Sequence, residues 1–434
     1  MRRDIIGPIL RNERKKQGKT IQDISTELGI SPSTISSMDR GLSNVSDDMY
    51  KEYAKSLGRA EDLLGLVSEA TKRKKEKMKE LLHIEDVLTG NPKSIIKQIN
   101  QIEEINVFPE LKVFSTFLKG RTFFELRQWG KSRECLLQTI EGLYNCASLE
   151  QSNIHTICLN DLGRIDFYGG EYKRALENTE QAIQLFDDNG ERSYIKPLLY
   201  LNKVIYLEKL GRDEEACLSL EYLHTQIESF RTNSYLVIQI YERYANLLTK
   251  LGTPIKALEY AKQGLQIAWD NRQYRRLFSL WVIMANIYFI LGNFKEAETR
   301  YHKALNLTSH VADNPNLIGK THLEYALILN KLGSIQQAEN QLLNALEYIQ
   351  EIKDDSVRLS VYLELGRLQL SLNRKEQAKE TFKKAEHILS TEENNAYSVD
   401  IYLTICDFYE RIGEMQKYKF YKDLIHQKLR EGLR

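Results

Sequence analysis

Residues 245–264 read ANLLTKLGTPIKALEYAKQG, and the spacing inside that stretch decides the fold. Leu251-Gly252 is a hydrophobic residue followed by glycine, the pair that suits a helix C-terminus closed by a residue in the left-handed region. Ala245 stands seven residues before Gly252, Ala257 five after it and Gly264 twelve after it. Small residues at such offsets let the two helices joined by the turn pack backbone close to backbone, because no long side chain stands between them. The stretch therefore reads as helix, short turn, helix.

Outward from Gly252 the signal returns at Gly130, Gly170, Gly211, Gly292, Gly333, Asn373 and Gly413, 40 or 41 residues apart. Five residues after the marker come Ala175, Ala216, Ala297, Ala338 and Ala378, with Cys135 and Tyr418 as exceptions. Seven before it stand Gly163, Ala285, Ala326, Gly366 and Cys406, with Phe123 and Val204 departing from the rule. Twelve after it stand Gly142, Ala182, Ala304, Ala345 and Ala385. A fixed period of this length means stacked helical hairpins rather than an enzyme core. The columns resemble the tetratricopeptide repeat, which is usually about 34 residues long, so the extra residues imply longer helices. One period before Gly130 falls Gly90, with Ile95, Ile99 and Ile102 at hydrophobic positions of a following helix, which predicts a degenerate repeat at the start of the array.

Composition agrees: 42% hydrophobic, 28% charged, seven prolines and a formal net charge of +1. A chain of 434 residues exceeds what one compact core normally holds, and the array accounts for the length. The apolar run near the N-terminus is interrupted at Gly7, Pro8 and Arg11, so no secretory signal is read, and no segment approaches the roughly 18 apolar residues of a membrane span. A cytoplasmic protein is expected. Cys135, Cys146, Cys158, Cys217 and Cys406 show no metal-ligand spacing and read as reduced core thiols. The histidines, among them His83, His155, His302 and His310, show no paired spacing either. The expectation is a non-enzyme with no metal and no cofactor.

The first 65 residues do not follow the period. Thr20-Ile-Gln-Asp23 is a capping-box-like start, Ile24 and Leu28 face a core, and Gly29 breaks the helix. Ser31 is a good N-cap, Pro32 fits the first helical position, Ile35 and Met38 are the buried stripe, and Arg40-Gly41 ends the element. Ser31 and Ser43 both read as helix caps. Two short helices joined through Gly29 make a helix-turn-helix. The stretch Ile9 to Leu64 resembles the lambda-repressor-like (Cro/CI, XRE) family through Leu28-Gly-Ile-Ser31, Thr34-Ile-Ser36, Asp39-Arg-Gly41 and Ala54-Lys-Ser-Leu-Gly58. The resemblance implies that the second helix enters the major groove, with Ser31 at its start and Ser33, Thr34, Ser36 and Ser37 near base edges. Thr20, Gln22 and Arg40 would meet phosphates, with Arg11, Arg14, Lys15, Lys16 and Lys19 as nearby positive charge. The glutamine common at the start of the first helix of the motif is replaced by Ile21, with Gln22 one step on. The alternative for this module is a bundle that no longer binds DNA.

The predicted class is all-α: a helix-turn-helix bundle over residues 1–66, a linker helix and degenerate repeat over 67–106, and a right-handed superhelical solenoid of eight tetratricopeptide-like repeats over 107–434. The basic run from Thr71 to Glu80 reads as the solvated face of the linker helix, coupling the DNA module to the array. In such a solenoid the first helix of each hairpin lines a concave groove. Six residues before the marker stand Arg164, Asn246, Asn286, Arg367 and Asp407; ten before stand Asn160 and Glu242; three before stand Phe167, Phe289 and Asn330, with Tyr168 adjacent. Amides both donate and accept, which matches an extended peptide, and Arg164 or Arg367 would take a carboxylate in bidentate fashion. Each polar residue has a second reading, pairing with the neighbouring repeat.

A repressor-like module followed by about nine long repeats resembles the Gram-positive peptide-pheromone receptors that group Rap, Rgg, NprR, PlcR and PrgX, with the repeat number most like NprR; phage-encoded receptors share the plan. The resemblance implies a usually dimeric transcription regulator that binds operator DNA and captures a short re-imported peptide, with Asn160, Asn246, Asn286 and Asn330 holding the peptide backbone. The alternative is a Rap-like protein that binds a response regulator and promotes its dephosphorylation.

Overall fold

A computed structural model describes residues 2–42, 45–59, 63–102, 105–350, 355–391 and 399–431, which contain 22 α-helices and no strand. Two compact units divide the chain, Met1–Leu223 and His224–Arg434.

The N-terminal bundle consists of α1 (Arg3–Lys16), α2 (Ile21–Leu28), α3 (Pro32–Asp39) and α4 (Asp47–Ser56). Thr20 and Asp23 form a reciprocal capping box at α2, Gly29 closes that helix at φ 65°, and the Ser31 hydroxyl accepts from the Thr34 amide in front of Pro32. At α4 the cap is Ser46, which accepts from the Met49 amide, while Ser43 lies outside the described residues. Ile6, Leu10, Ile24, Ile35, Met38, Tyr50 and Tyr53 are fully buried in one cluster.

Two close contacts lock this bundle. A Cβ on Gly7 would lie 2.1 Å from the Met38 carbonyl oxygen, and one on Gly41, at φ 72°, would lie 2.4 Å from that of Arg3. Only glycines let α1 and the end of α3 approach so far. Beside them Arg14, at 5% exposure, pairs with Asp39 at 2.5 Å and donates to the Tyr53 hydroxyl and the Lys19 carbonyl; Tyr53 donates to Asp39 at 2.8 Å. Arg14 is therefore spent inside the fold, and its expected place among the phosphate-facing charges is corrected.

The basic run lies within α5 (Leu63–Val87). Lys72, Arg73, Lys75 and Lys79 are exposed as expected, but Lys74 turns inward and pairs with Glu110 at 2.6 Å. Ile95 and Ile99 of α6 (Pro92–Gln101) are buried in the same cluster as Ile5 of α1, Leu81 and Ile84 of α5, and Phe114. The bundle and the start of the array thus share one core.

Among the described residues sixteen α-helices follow, taken in consecutive pairs joined by tight turns. In the first unit α7 (Pro109–Glu125) packs on α8 (Trp129–Leu143) and α9 (Ile154–Tyr168) on α10 (Tyr172–Leu185), followed by α11 (Ile195–Lys209) and, crossing the division, α12 (Asp213–Thr225). The second unit pairs α13 (Ser234–Lys250) with α14 (Pro254–Asp270), α15 (Tyr274–Ile290) with α16 (Phe294–Leu305) and α17 (Pro315–Lys331) with α18 (Ile335–Ile349). It ends with α19 (Asp355–Ser371) on α20 (Lys375–Thr391) and α21 (Val399–Ile412) on α22 (Met415–Glu431). At each turn one residue sits in the left-handed region, Gly252 at φ 77° for example, and the next amide donates to the carbonyl five residues back, Thr253 to Leu248 at 2.9 Å. Asn373 takes the same conformation at φ 59°.

The first hairpin departs from the expected register. Gly130 lies inside α8, and the left-handed residue is Arg127 at φ 56°, with the Gln128 amide donating to Phe123. Counted from Arg127, the small columns fall on Gly120, Ser132 and Thr139, the latter two fully buried, and the Ser132 hydroxyl donates to the Gly120 carbonyl at 2.8 Å. Phe123 and Cys135 depart from the small columns because the turn lies three residues before Gly130.

Replacing Asp39 with alanine leaves Arg14 buried without its counterion, and breaking a buried pair costs about 3–5 kcal/mol. Urea titration followed by amide exchange in α1 to α4 should show a loss of that size. A loss of about 0–1 kcal/mol, the range of exposed pairs, contradicts this account of the bundle.

Candidate functional site

The surface formed by α2 and α3 is polar and small. Thr20, Gln22, Ser31, Ser33 and Arg40 are exposed, and Thr34, Ser36 and Ser37 are half-exposed. Ser31 is occupied by its cap and by contacts with the Ser33 and Thr34 hydroxyls at 2.7 and 2.8 Å, so Ser33 and Thr34 retain the freer hydroxyl capacity. Arg40 folds back, its Nε donating to the Ser36 carbonyl at 3.3 Å. Hydrogen bonds from Thr20, the backbone one first, hold the Asp23 carboxyl below its usual range. Among the nearby cations Arg11 and Lys15 are exposed, Lys16 faces Glu13 at 3.4 Å, and Lys19 pairs with Glu27 at 3.0 Å.

In the first unit the nominated residues gather around buried acids. Asn160 is buried, and its carbonyl oxygen accepts from Asn202 of the next hairpin at 2.8 Å. Arg164 lies 3.3 Å from Asp161 and stacks on Phe124 at 4.2 Å. Asp161 also meets Arg121 at 3.3 Å, and Asp166 pairs with Arg133 at 2.5 Å and accepts from Asn178. Phe167 stacks on Tyr206 at 5.2 Å, while Tyr168, 58% exposed, stacks on Trp129. Arg121 belongs to the same column as Arg164, because the turn of the first hairpin lies at Arg127 and not at Gly130. Asp161 and Asp166 carry no periodic signal, because Arg121 and Arg133, which pair with them, come from the preceding hairpin.

In the second unit Glu242 is buried and pairs with Arg276 at 2.7 Å, and Arg276 stacks on Tyr235 at 4.3 Å. The other Glu242 oxygen, Oε1, has no hydrogen-bond partner among the described residues. One turn along α13, Asn246 is exposed, and no hydrogen bond among the described residues engages its amide. Asn286 differs: it accepts from the Tyr301 hydroxyl and donates to Glu324 at 3.1 Å, stitching α15, α16 and α17 together. Phe289 packs on Phe294 and carries Lys331 over its ring at 5.0 Å. Asn330 is exposed and, among the described residues, makes no side-chain hydrogen bond. Arg367 donates to Glu364 and Thr404, both at 2.7 Å, and Asp407 pairs with Arg411 at 3.1 Å. Two of the four asparagines are thus used between helices, and two keep open amides. Among the described residues no group of acidic, histidine or cysteine side chains is arranged to hold a metal, and no helix is long and apolar enough to cross a membrane.

Comparison with known proteins places these features. Residues 10–64 match the helix-turn-helix family model, and 278–310 and 359–386 match the tetratricopeptide repeat. Tetratricopeptide repeat protein 29 of Macaca fascicularis is 23% identical over 186 residues, which is 42% of this chain and only 36% of that protein. Two solved structures in their apo forms superpose over most of the chain. RapI does so with a TM-score of 0.60 at 14% identity, covering 83% of this chain and 98% of its own. The quorum sensor NprR from B. thuringiensis gives 0.61 at 14%, with the same coverage. A Rap protein complexed with Competence and Sporulation Factor gives 0.54 at 14%, covering 84% and 99%. The chain thus contains a helix-turn-helix segment and tetratricopeptide repeats. More particularly, its solenoid has the fold of the Rap and NprR quorum sensors.

Burial pushes the Glu242 carboxyl up from an ordinary 4.5 to about 7, against the lowering effect of Arg276. The folded chain holds this proton to higher pH than the unfolded chain, so the contribution of Glu242 to stability falls as pH rises from 4.5 to 7 and is level on either side. Urea midpoints of wild type and Glu242→Gln should diverge across that window, with the wild type losing ground as pH rises. A difference independent of pH, or of opposite slope, contradicts the assignment.

Proposed function

We propose that this protein is a peptide-responsive transcription regulator. Its helix-turn-helix reads operator DNA as one head of a homodimer, and the inner helices of the solenoid hold a short signalling peptide. The observation that carries the reading is the shared core of Ile5, Leu81, Ile84 and Phe114, because a head packed directly on the array feels a change in how the hairpins stack. Peptide binding then acts by population shift, favouring one arrangement of the array and with it one placement of the heads. Ser33, Thr34, Ser36 and Ser37 supply hydroxyls to base edges, and Thr20, Gln22 and Arg40 supply phosphate contacts. Hydroxyls discriminate weakly, so much of the affinity is electrostatic and falls with salt. No step in this reading is catalytic.

On the peptide side, Asn246 and Asn330 are the backbone-holding amides, with Asn160 and Asn286 supporting the helices that present them. The peptide would be the tail of a small secreted product encoded beside the gene. A footprint on neighbouring promoter DNA, with and without a synthetic version of that tail, tests the function. A protected site whose occupancy the peptide alters supports it. No protection, together with retention of a phosphorylated receiver domain, would favour a Rap-like interaction protein instead.

The residue assignment has its own test. Asn246→Ala and Asn330→Ala should each weaken peptide binding by roughly 3- to 10-fold in calorimetry, the worth of one hydrogen bond, and leave the melting temperature unchanged. Asn160→Ala and Asn286→Ala should lower the melting temperature first. The reverse pattern refutes the division.

A further inference from the structure

Within the first unit a cavity of about 360 Å³ opens where α1, α5, α7 and the start of α9 meet. Its volume falls in the range of about 300–1,000 Å³ typical of small-molecule sites. The inner wall is apolar: Ile5, Phe114 and Ile154 are all but fully buried, and Met78 is half-buried beside them. Leu82, 40% exposed, stands at the mouth. Four cations border this wall, and three already have carboxylates: Arg2 pairs with Asp4 at 2.8 Å, Lys74 with Glu110 at 2.6 Å, and Arg192 with Glu85 at 2.7 Å. Lys75 is exposed and, among the described residues, forms no ion pair.

From this geometry we propose that the cavity binds a small amphiphilic monocarboxylate, its apolar body against Phe114, Ile154 and Met78 and its carboxylate at Lys75. The chemistry follows from what is left over. An apolar wall with a mouth favours a hydrocarbon body, and one uncompensated cation at its edge favours one negative charge. A second negative charge would have to draw Lys74 from Glu110 or Arg192 from Glu85, and separating a largely buried pair opposes that, as do the carboxylates of Glu110 and Glu191 in the same lining. The occupant touches the DNA-binding bundle through Ile5, the connecting helix through Met78 and the array through Phe114 and Ile154, so it would fix these three parts against one another. The site stands whether or not the chain binds a peptide or DNA.

Sodium decanoate below its micellar concentration is the probe, with decanol as the uncharged control, titrated calorimetrically into the full chain. Decanoate should bind saturably and tighter than decanol by about threefold or more, the scale of one partly exposed ion pair. Lys75→Gln should remove that preference, and Leu82→Trp should close the mouth and abolish binding of both. Both positions are exposed, so the fold should persist; amide exchange gives a second readout, with decanoate protecting α1 and α5. Non-saturable uptake, equal binding of decanol to the wild type, binding unaffected by Leu82→Trp, or protection confined to other helices would each overturn the proposal.

Discussion

The hairpins depend on one local constraint, a residue held in the left-handed region between two helices. It reverses the chain in a single step and gives the next amide a carbonyl five residues back, as Thr253 does with Leu248. That hydrogen bond fixes the phase of the second helix against the first, and the phase decides which side chains face each other. Ala245 and Ala257 then fall at the contact, both fully buried, and the helices close backbone to backbone. On α13 the residue after the contact column, Asn246, is exposed one turn from the buried Glu242, whereas its counterpart on α15, Asn286, turns to Tyr301 of the partner helix. Where the left-handed residue is not glycine, as at Arg127 and Asn373, the rest of the turn is unchanged.

The N-terminal bundle obeys a different constraint, the approach of Gly7 to the end of α3, which admits no Cβ. That approach places Arg14 within reach of Asp39 and Tyr53, so a charge that would otherwise face solvent becomes part of the core. The polar surface that α2 and α3 present is correspondingly small and rich in hydroxyls. Under the proposed function such a head would draw its affinity from phosphate contacts and from a second copy.

Much of this was legible in the sequence because its causes are local. The turn glycines, the small columns, the Thr20 box, the Ser31-Pro32 cap and the Gly29 break each act within a few residues, and the structure has them where the spacing puts them. The failures are non-local or involve a substitution at a marker. Gly130 fell on the period, while Arg127, which carries no left-handed preference, made the turn and moved Arg121 into the inner column. Asn160 and Asn286 look like Asn246 in sequence; only the placement of Asn202, Tyr301 and Glu324 separates them. Lys74 differs from Lys75 only by which side of α5 meets Glu110. Partners brought from other hairpins leave no mark on the period.

The proposed coupling between array and head is reciprocal by thermodynamic necessity: whatever factor the peptide applies to DNA affinity, DNA must apply to peptide affinity. The most direct measurement is therefore peptide affinity of the full chain, by calorimetry at fixed salt, with and without its promoter duplex. The account predicts a shift of about fivefold or more, in the direction of the peptide's effect on DNA binding and equal to it in size. Identical peptide affinities in the two titrations would contradict it, and the head and the array would then be independent modules on one chain.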